Sequence, residues 1–206
     1  MIAVLEAFLP QMFAGFLVNL QVASVAVALG MVGGFPLALL RLRLPWSMRV
    51  IRPCIMLMQA APVYVIMFFL LNMLPHEIRL FDMAIPLTAL TALILSQAIN
   101  MVAYMAENAY PALVHLRRRE VPQALLFLPN AMRGFIVVVM SSGLGAAIGV
   151  PEAVGVTLAH SQRLPDLGDR VVLFLVVMAF FVTVFGTANL VLRQIMLRLS
   201  RRQRPV

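Results

Sequence analysis

The sequence predicts an all-α polytopic membrane protein, with about five transmembrane helices in one domain over residues 1–206. Three observations predict it. Hydrophobic residues make up 63% of the chain against 12% charged, and mean hydropathy is +0.98, a balance outside the range of soluble domains. Apolar segments long enough to cross ~30 Å of hydrocarbon recur along the chain. The 16 basic residues, every one an arginine, gather in alternate connectors.

The first span is expected over about 12–40, after a short apolar lead-in over 1–10 that holds Glu6. No basic stretch precedes it, so a cleaved signal peptide is not expected and the segment should remain a span. Gly30, Gly34 and Ala38 recur at four-residue spacing, a pattern that lets another helix approach closely. A basic linker follows, with Arg41, Arg43, Arg49, Arg52 and the single tryptophan, Trp46, as an interfacial anchor. The second span covers about 53–74 and is interrupted by Gln59-Ala-Ala-Pro62, where proline removes a backbone donor. The break reads as a hinge, a substrate path or simple tolerance of proline. Cys54 excludes an internal disulfide and reads as packing. The connector 75–82 contains His76, Glu77, Arg79 and Asp82, whose spacings do not share one helical face, and reads as a solvated loop.

The third span, about 83–107, ends in a polar stripe. Residues three and four apart share a helix face. Ser96, Gln97, Asn100, Tyr104 and Glu107 therefore align, with Ile99, Met101, Val102 and Met105 opposite. A carboxylate on such a helix costs ~2.5–3.5 kcal/mol at mid-bilayer. The stripe is expected to face protein, water or a substrate path, and the simplest alternative is a polar seam that glues helices. A loop over 108–126 holds Arg117, Arg118, Arg119 and Glu120, and Pro122 disfavours a continuous helix there. The fourth span is expected over about 127–149, with Ser141 and Ser142 near its far end, followed by a short surface helix around 151–160. The fifth covers about 170–193.

Loops 41–52 and 108–133 and the tail 193–204 hold thirteen of the sixteen arginines. Basic residues mark cytoplasmic loops, so the C-terminus is expected inside and the N-terminus outside. The net charge of +8 is explained by this asymmetry, not by nucleic acid. No phosphate-binding loop, nucleophile elbow or zinc pattern occurs, and the three histidines, His76, His115 and His160, lie far apart.

Four blocks resemble the membrane-spanning permease subunit of bacterial ABC importers, in the polar amino-acid (histidine/glutamine/arginine/opine) branch. Gly15-Phe-Leu-Val-Asn19-Leu-Gln21, with Gly30, Gly34, Ala38 and Arg41 after it, is similar to the opening span of that branch. Gln59-Ala-Ala-Pro62 stands where the family has Arg-Gly-Thr-Pro. Ala103-Tyr104-Met-Ala106-Glu107 resembles the family's Ala-Tyr-x-Ala-Glu, and Ile148-Gly149-Val150-Pro151-Glu152 its Ile-Gly-Val-x-Glu. Together the blocks cover most of residues 12–160.

The resemblance implies a type I importer permease with a periplasmic N-terminus and a cytoplasmic C-terminus in the bacterial inner membrane. It implies a second permease subunit around a central path, two ATPase subunits beneath and a periplasmic substrate-binding protein above. No cofactor is expected in this chain, since ATP and Mg would be bound by the ATPase partner, and the chain itself is not expected to be an enzyme. A path for a zwitterion needs dipoles and few fixed charges. Ser96, Gln97, Asn100, Ser141, Ser142 and Gln59 are the candidate path residues, with interhelical hydrogen bonding as their alternative role. Arg117, Arg118, Arg119, Glu120, Pro122, Gln123 and Ala124 are the candidate ATPase-coupling segment. Glu107 is expected to pair with Arg117 or Arg118, or to reach across the dimer.

The departures are specific. The coupling loop is about ten residues short of the family's, lacks its Gly, and has Pro122 inside it. Tyr110-Pro111 replaces the usual Arg-Gly, and Met140-Ser141-Ser142 replaces Lys-Asp-Ser/Thr. A permease half that has lost coupling therefore stands as an alternative, as does an unrelated small channel or secondary carrier. A membrane enzyme is disfavoured because no acid/base or metal cluster shares one depth.

Overall fold

The structure is a computed structural model that describes residues 2–74, 77–80 and 83–201. His76, Asp82, Arg202 and Arg204, used above in the loop and topology readings, lie outside the described residues. The chain forms helices α1 (Ile2–Arg43), α2 (Met48–Ala60) and α3 (Val63–Met73), then strands β1 (Glu77–Leu80) and β2 (Met83–Pro86). Helices α4 (Ala89–Arg117), α5 (Val121–Ala124), α6 (Phe127–Ser141), α7 (Ala153–Ser161) and α8 (Leu167–Arg201) follow.

Four helical stretches are long and apolar enough to cross a bilayer, and the bent pair α2–α3, taken as one broken span, makes up to five. α1 is 42 residues long and runs through both Pro10 and Pro36, so the lead-in over 1–10 belongs to the first helix. α2 and α3 meet at 88°, because Pro62 starts a new helix and Ala61 ends the old one in extended backbone. The expected second span is thus two short helices. The connector after α3 is an antiparallel hairpin, with Glu77 opposite Pro86, where an irregular loop was expected. The third span accordingly starts at Ala89, capped by Thr88, rather than at 83.

α4 also continues past Glu107, through Pro111 to Arg117. The expected 108–126 loop is therefore ten residues of helix followed by a short connector. α6 tightens into a 3-10 helix over Ser142–Ile148, which Gly149 ends at φ 81°; a Cβ there would meet nothing, so the backbone conformation is what favours glycine. α7 occupies the position read as a surface helix. Its Ala153, Thr157 and Ser161 are buried, because Gly15 of α1 lies so close that a Cβ would sit 2.7 Å from the Ala153 nitrogen.

The core is the contact of α1 with α4. A Cβ at Gly30 would lie 2.6 Å from Met101 Cβ, at Gly33 2.7 Å from Val102 Cγ2, and at Gly34 2.7 Å from Met105 Cβ and 2.8 Å from the Ala106 nitrogen. Positions rise together on both helices, so the two run parallel. Ala38 is fully buried nearby. Ala23, Ala26, Ala98, Met101, Met105, Val138 and Val139 join α1, α4 and α6 in one cluster. α8 is held more loosely, by edge-on rings of Phe16 against Phe180 (5.1 Å) and Phe181 (6.0 Å). Half of α4's apolar window is buried within the chain, but only 11% of that of α8; α8 therefore faces lipid or another subunit. Cys54, read as packing, is exposed, since α2 buries only Ile51 and Ile55.

Gly34→Val is expected to force α1 from α4, because the added carbons meet main chain that cannot rotate away. The cost should reach at least ~3 kcal/mol, the upper end of core overpacking. Thermal melting of the purified protein in detergent would register it as a lower midpoint; an unchanged midpoint would disprove the close approach.

Candidate functional site

Three groups of polar side chains lie within this apolar fold, at successive depths. The first lies where α1 and α4 end in arginine-rich sequence. Arg41 donates to Glu107 Oε1 at 2.9 Å, its guanidinium lies 4.5 Å over the Tyr110 ring, and its Nε reaches Met48 Sδ at 3.2 Å. The Arg41 side chain is 7% exposed and that of Glu107 42%. Glu107 thus pairs with Arg41, not with Arg117 or Arg118. The expected pairs fail because α4 keeps its helical course beyond Glu107, and those arginines are carried about three turns away.

The second group lies far along α1. Asn19 is 22 positions before Arg41, ~33 Å along a helix at 1.5 Å per residue, about one hydrocarbon thickness. Its amide donates to Ser142 Oγ at 2.8 Å and to Glu152 Oε2 at 3.0 Å, and its carbonyl accepts from the Ala153 N–H at 3.1 Å. Glu152 caps α7, accepting from Val154 N–H at 2.9 Å and Gly155 N–H at 2.7 Å. Asn19, Ser142 and Glu152 are all essentially inaccessible. Burial pushes the Glu152 carboxyl above its ordinary value of 4.5, while the bonds from Asn19, Val154 and Gly155 pull it back. A cavity of about 380 Å³ opens beside the group, walled by Met140, Gly143, Phe181 and Phe185, with Asn19 as the one polar residue among those that line it.

The third group lies between the others on α4. Ser141 donates to Gln97 Oε1 at 3.1 Å. The Gln97 Nε2 and Asn100 Nδ2 atoms are buried with no hydrogen-bond partner. An unpaired buried amide costs ~1–3 kcal/mol, more than a helix-gluing role would tolerate at two neighbouring positions. Tyr104, one turn on, spends its hydroxyl on the Asn130 carbonyl at 2.8 Å.

The candidate path residues therefore separate. Gln97 and Ser141 are joined by a hydrogen bond, and Asn100 lies about one turn further along α4 than Gln97. Ser96 is fully buried and its hydroxyl turns back to the Leu93 carbonyl. Ser142 belongs to the Asn19 group. Gln59 is exposed at the end of α2, and no contact joins it to the others. Asn19, Arg41 and Glu152 were not singled out as site residues, although all three stand in the blocks that carry the resemblance. Their partners on other helices are 66 to 134 positions away, and the one local signal is the capping of α7 by Glu152.

The candidate coupling segment is a sharp helix stop. Arg117 ends α4, and Arg118 caps it. Arg119 adopts φ 60°, its N–H bonding the Leu116 carbonyl while the Glu120 N–H bonds that of His115. This pairing is the one glycine usually closes. Glu120 also pairs with His115 at 2.6 Å. Pro122 lies in the first turn of α5, a single turn that contains Gln123 and Ala124. The helix breaks at Arg118–Glu120, ahead of Pro122, which sits inside the first turn of α5 rather than at the break.

No protein-family model matches the chain, and no curated protein matches it significantly. One solved structure does: a chain described as an amino acid ABC transporter with histidines superposes with a TM-score of 0.70 over 92% of this chain and 96% of the other, at 21% identity. The two share a fold.

Two measurements test this geometry. The folded Glu152 carboxyl holds its proton to higher pH than the unfolded one, so its contribution to stability is greatest below pH 4.5 and is lost as pH rises through the folded value. Melting midpoints across pH should show that decline, and Glu152→Gln should flatten it. Arg119→Gly should raise the melting midpoint, since it removes a left-handed strain of ~1 kcal/mol; a lower midpoint would refute that backbone.

Proposed function

We propose that this chain is a transmembrane permease subunit of an ATP-driven importer for amino acids or related small polar solutes, in the bacterial inner membrane. The observation that carries the proposal is the superposition on an amino acid ABC transporter chain over nearly all of both chains. Five membrane crossings, with arginines on alternate connectors, support an outside N-terminus and a cytoplasmic C-terminus.

In this reading Gln97, Asn100 and Ser141 line the path. The unpaired amide donors of Gln97 and Asn100, buried in this conformation, would meet a carboxylate or carbonyl when the helices part, and dipoles without fixed charge let a zwitterion leave again. The bare outer face of α8 suits a second permease subunit. Two ATPase subunits dock beneath, with the 117–124 segment as their contact, and bind the ATP and Mg that this chain has no loop to hold. A periplasmic binding protein delivers substrate.

A second reading has support from one feature. The contact segment is a one-turn helix after a strained stop, which favours a half that assembles with an active permease but couples weakly itself. Co-purification with the ATPase separates the two: docking to this subunit alone supports the first reading, and docking only through a partner permease supports the second.

Uptake of a labelled amino-acid panel into proteoliposomes of the assembled complex tests the function. Uptake without ATP or binding protein would point to a channel or secondary carrier instead. Asn100→Leu is expected to cut uptake roughly tenfold, a barrier change of ~1.4 kcal/mol, while assembly stays intact. Normal uptake in that variant would reduce the stripe to packing.

A further inference from the structure

α6 and α8 run antiparallel, so the start of one meets the end of the other at the arginine-rich end of the molecule. Between them lies a cavity of about 580 Å³. Arg133 of α6 and Arg193 of α8 both line it, with Asn189 beside them and Leu126, Leu192 and Met196 as apolar wall. Among the described residues neither arginine forms an ion pair; the two ion pairs lie elsewhere, at Arg41 and His115. Two guanidinium groups share one groove and repel each other until an anion joins them.

We propose that this groove binds an anionic phospholipid, with the headgroup phosphate between Arg133 and Arg193 and an acyl chain along the leucine wall. The membrane itself supplies that anion at this depth. Guanidinium groups bind phosphate oxygens bidentately, and basic pockets between transmembrane helices are where anionic headgroups lodge. The volume fits a headgroup and the first part of a chain, within the ~300–1,000 Å³ of small-molecule sites. The groove opens at the surface of the chain, because α8 buries so little of itself in it. A zwitterionic headgroup brings its own ammonium to two arginines and is disfavoured by that repulsion. The same design recurs between α1 and α4, where Arg43 and Arg117 share a leucine-walled groove of about 530 Å³. The α6–α8 groove is the sharper case, since neither of its arginines belongs to the 117–124 segment.

Native mass spectrometry of the full-length protein in detergent, titrated with phosphatidylglycerol, phosphatidylcholine or glycerol 3-phosphate, tests the assignment. Phosphatidylglycerol should be retained roughly tenfold more than phosphatidylcholine. Arg133→Gln with Arg193→Gln should abolish that preference, whereas Arg49→Gln with Arg52→Gln, an equal charge loss on exposed positions of α2, should not. Arg133→Lys with Arg193→Lys, which keeps the charge and guards against misfolding, should retain the preference at reduced strength. Equal retention of both lipids, or equal loss in the α2 control, would overturn the proposal in favour of general interfacial charge. Glycerol 3-phosphate binding as tightly as the lipid would overturn it in favour of a free-phosphate site.

Discussion

Everything in this molecule rests on how closely α1 and α4 approach. In lipid there is no hydrophobic force to press two helices together, because the solvent is as apolar as the side chains. Three glycines on one face of α1 supply the alternative, which is contact of main chain with main chain over Met101–Ala106. Dispersion accumulates over that interface. α6 then completes the core by filling the side of the pair where Ala131, Val138 and Val139 meet Ala23, Ala26 and Met105.

The polar groups act on that frame as registers. Arg41 with Glu107 and Tyr110 ties the two helices at one end. Asn19 with Ser142 and Glu152 ties α1 to α6 and α7 at the other. Each clamp is internally paired. Between them Gln97 and Asn100 keep donors in reserve. The buried donors left unpaired thus lie between two groups whose members are paired. In the proposed assembly, coupling to a partner below would pass through a connector whose backbone is under left-handed strain at Arg119.

The fold class was legible because composition and arginine placement are properties of the whole chain. The glycine spacing was legible for the same reason that it works: it is a local repeat on one helix face. Gly33 lies outside that repeat, and only the partner helix reveals that it too carries the contact. The polar stripe was legible as a stripe, but not its division into three. Ser96 is satisfied by its own helix and Ser142 by a residue 123 positions away, and no periodicity distinguishes them from Gln97. Glu107 was assigned partners that follow it closely in the chain. The true partner comes 66 positions earlier, because Pro111 does not end the helix as a proline in an aqueous loop would. α7 read as a surface helix because it lies amid polar sequence, and its burial is a tertiary fact set by Gly15.

The 88° bend at Ala61–Pro62 bears on how the chain enters the membrane. α2 has 13 residues and α3 has 11, ~20 Å and ~16 Å of helix, and neither alone crosses ~30 Å of hydrocarbon. At the bend, backbone groups lack regular helical partners at a depth where water is scarce. Such a pair of half-helices is a poor candidate for release into lipid by itself during synthesis. Its apolar anchors, Ile55 and Met67, dock on residues of α4 as well as α1. The segment therefore has to wait at the insertion machinery until some forty further residues have emerged, which makes α4 a template for a span that precedes it in the chain.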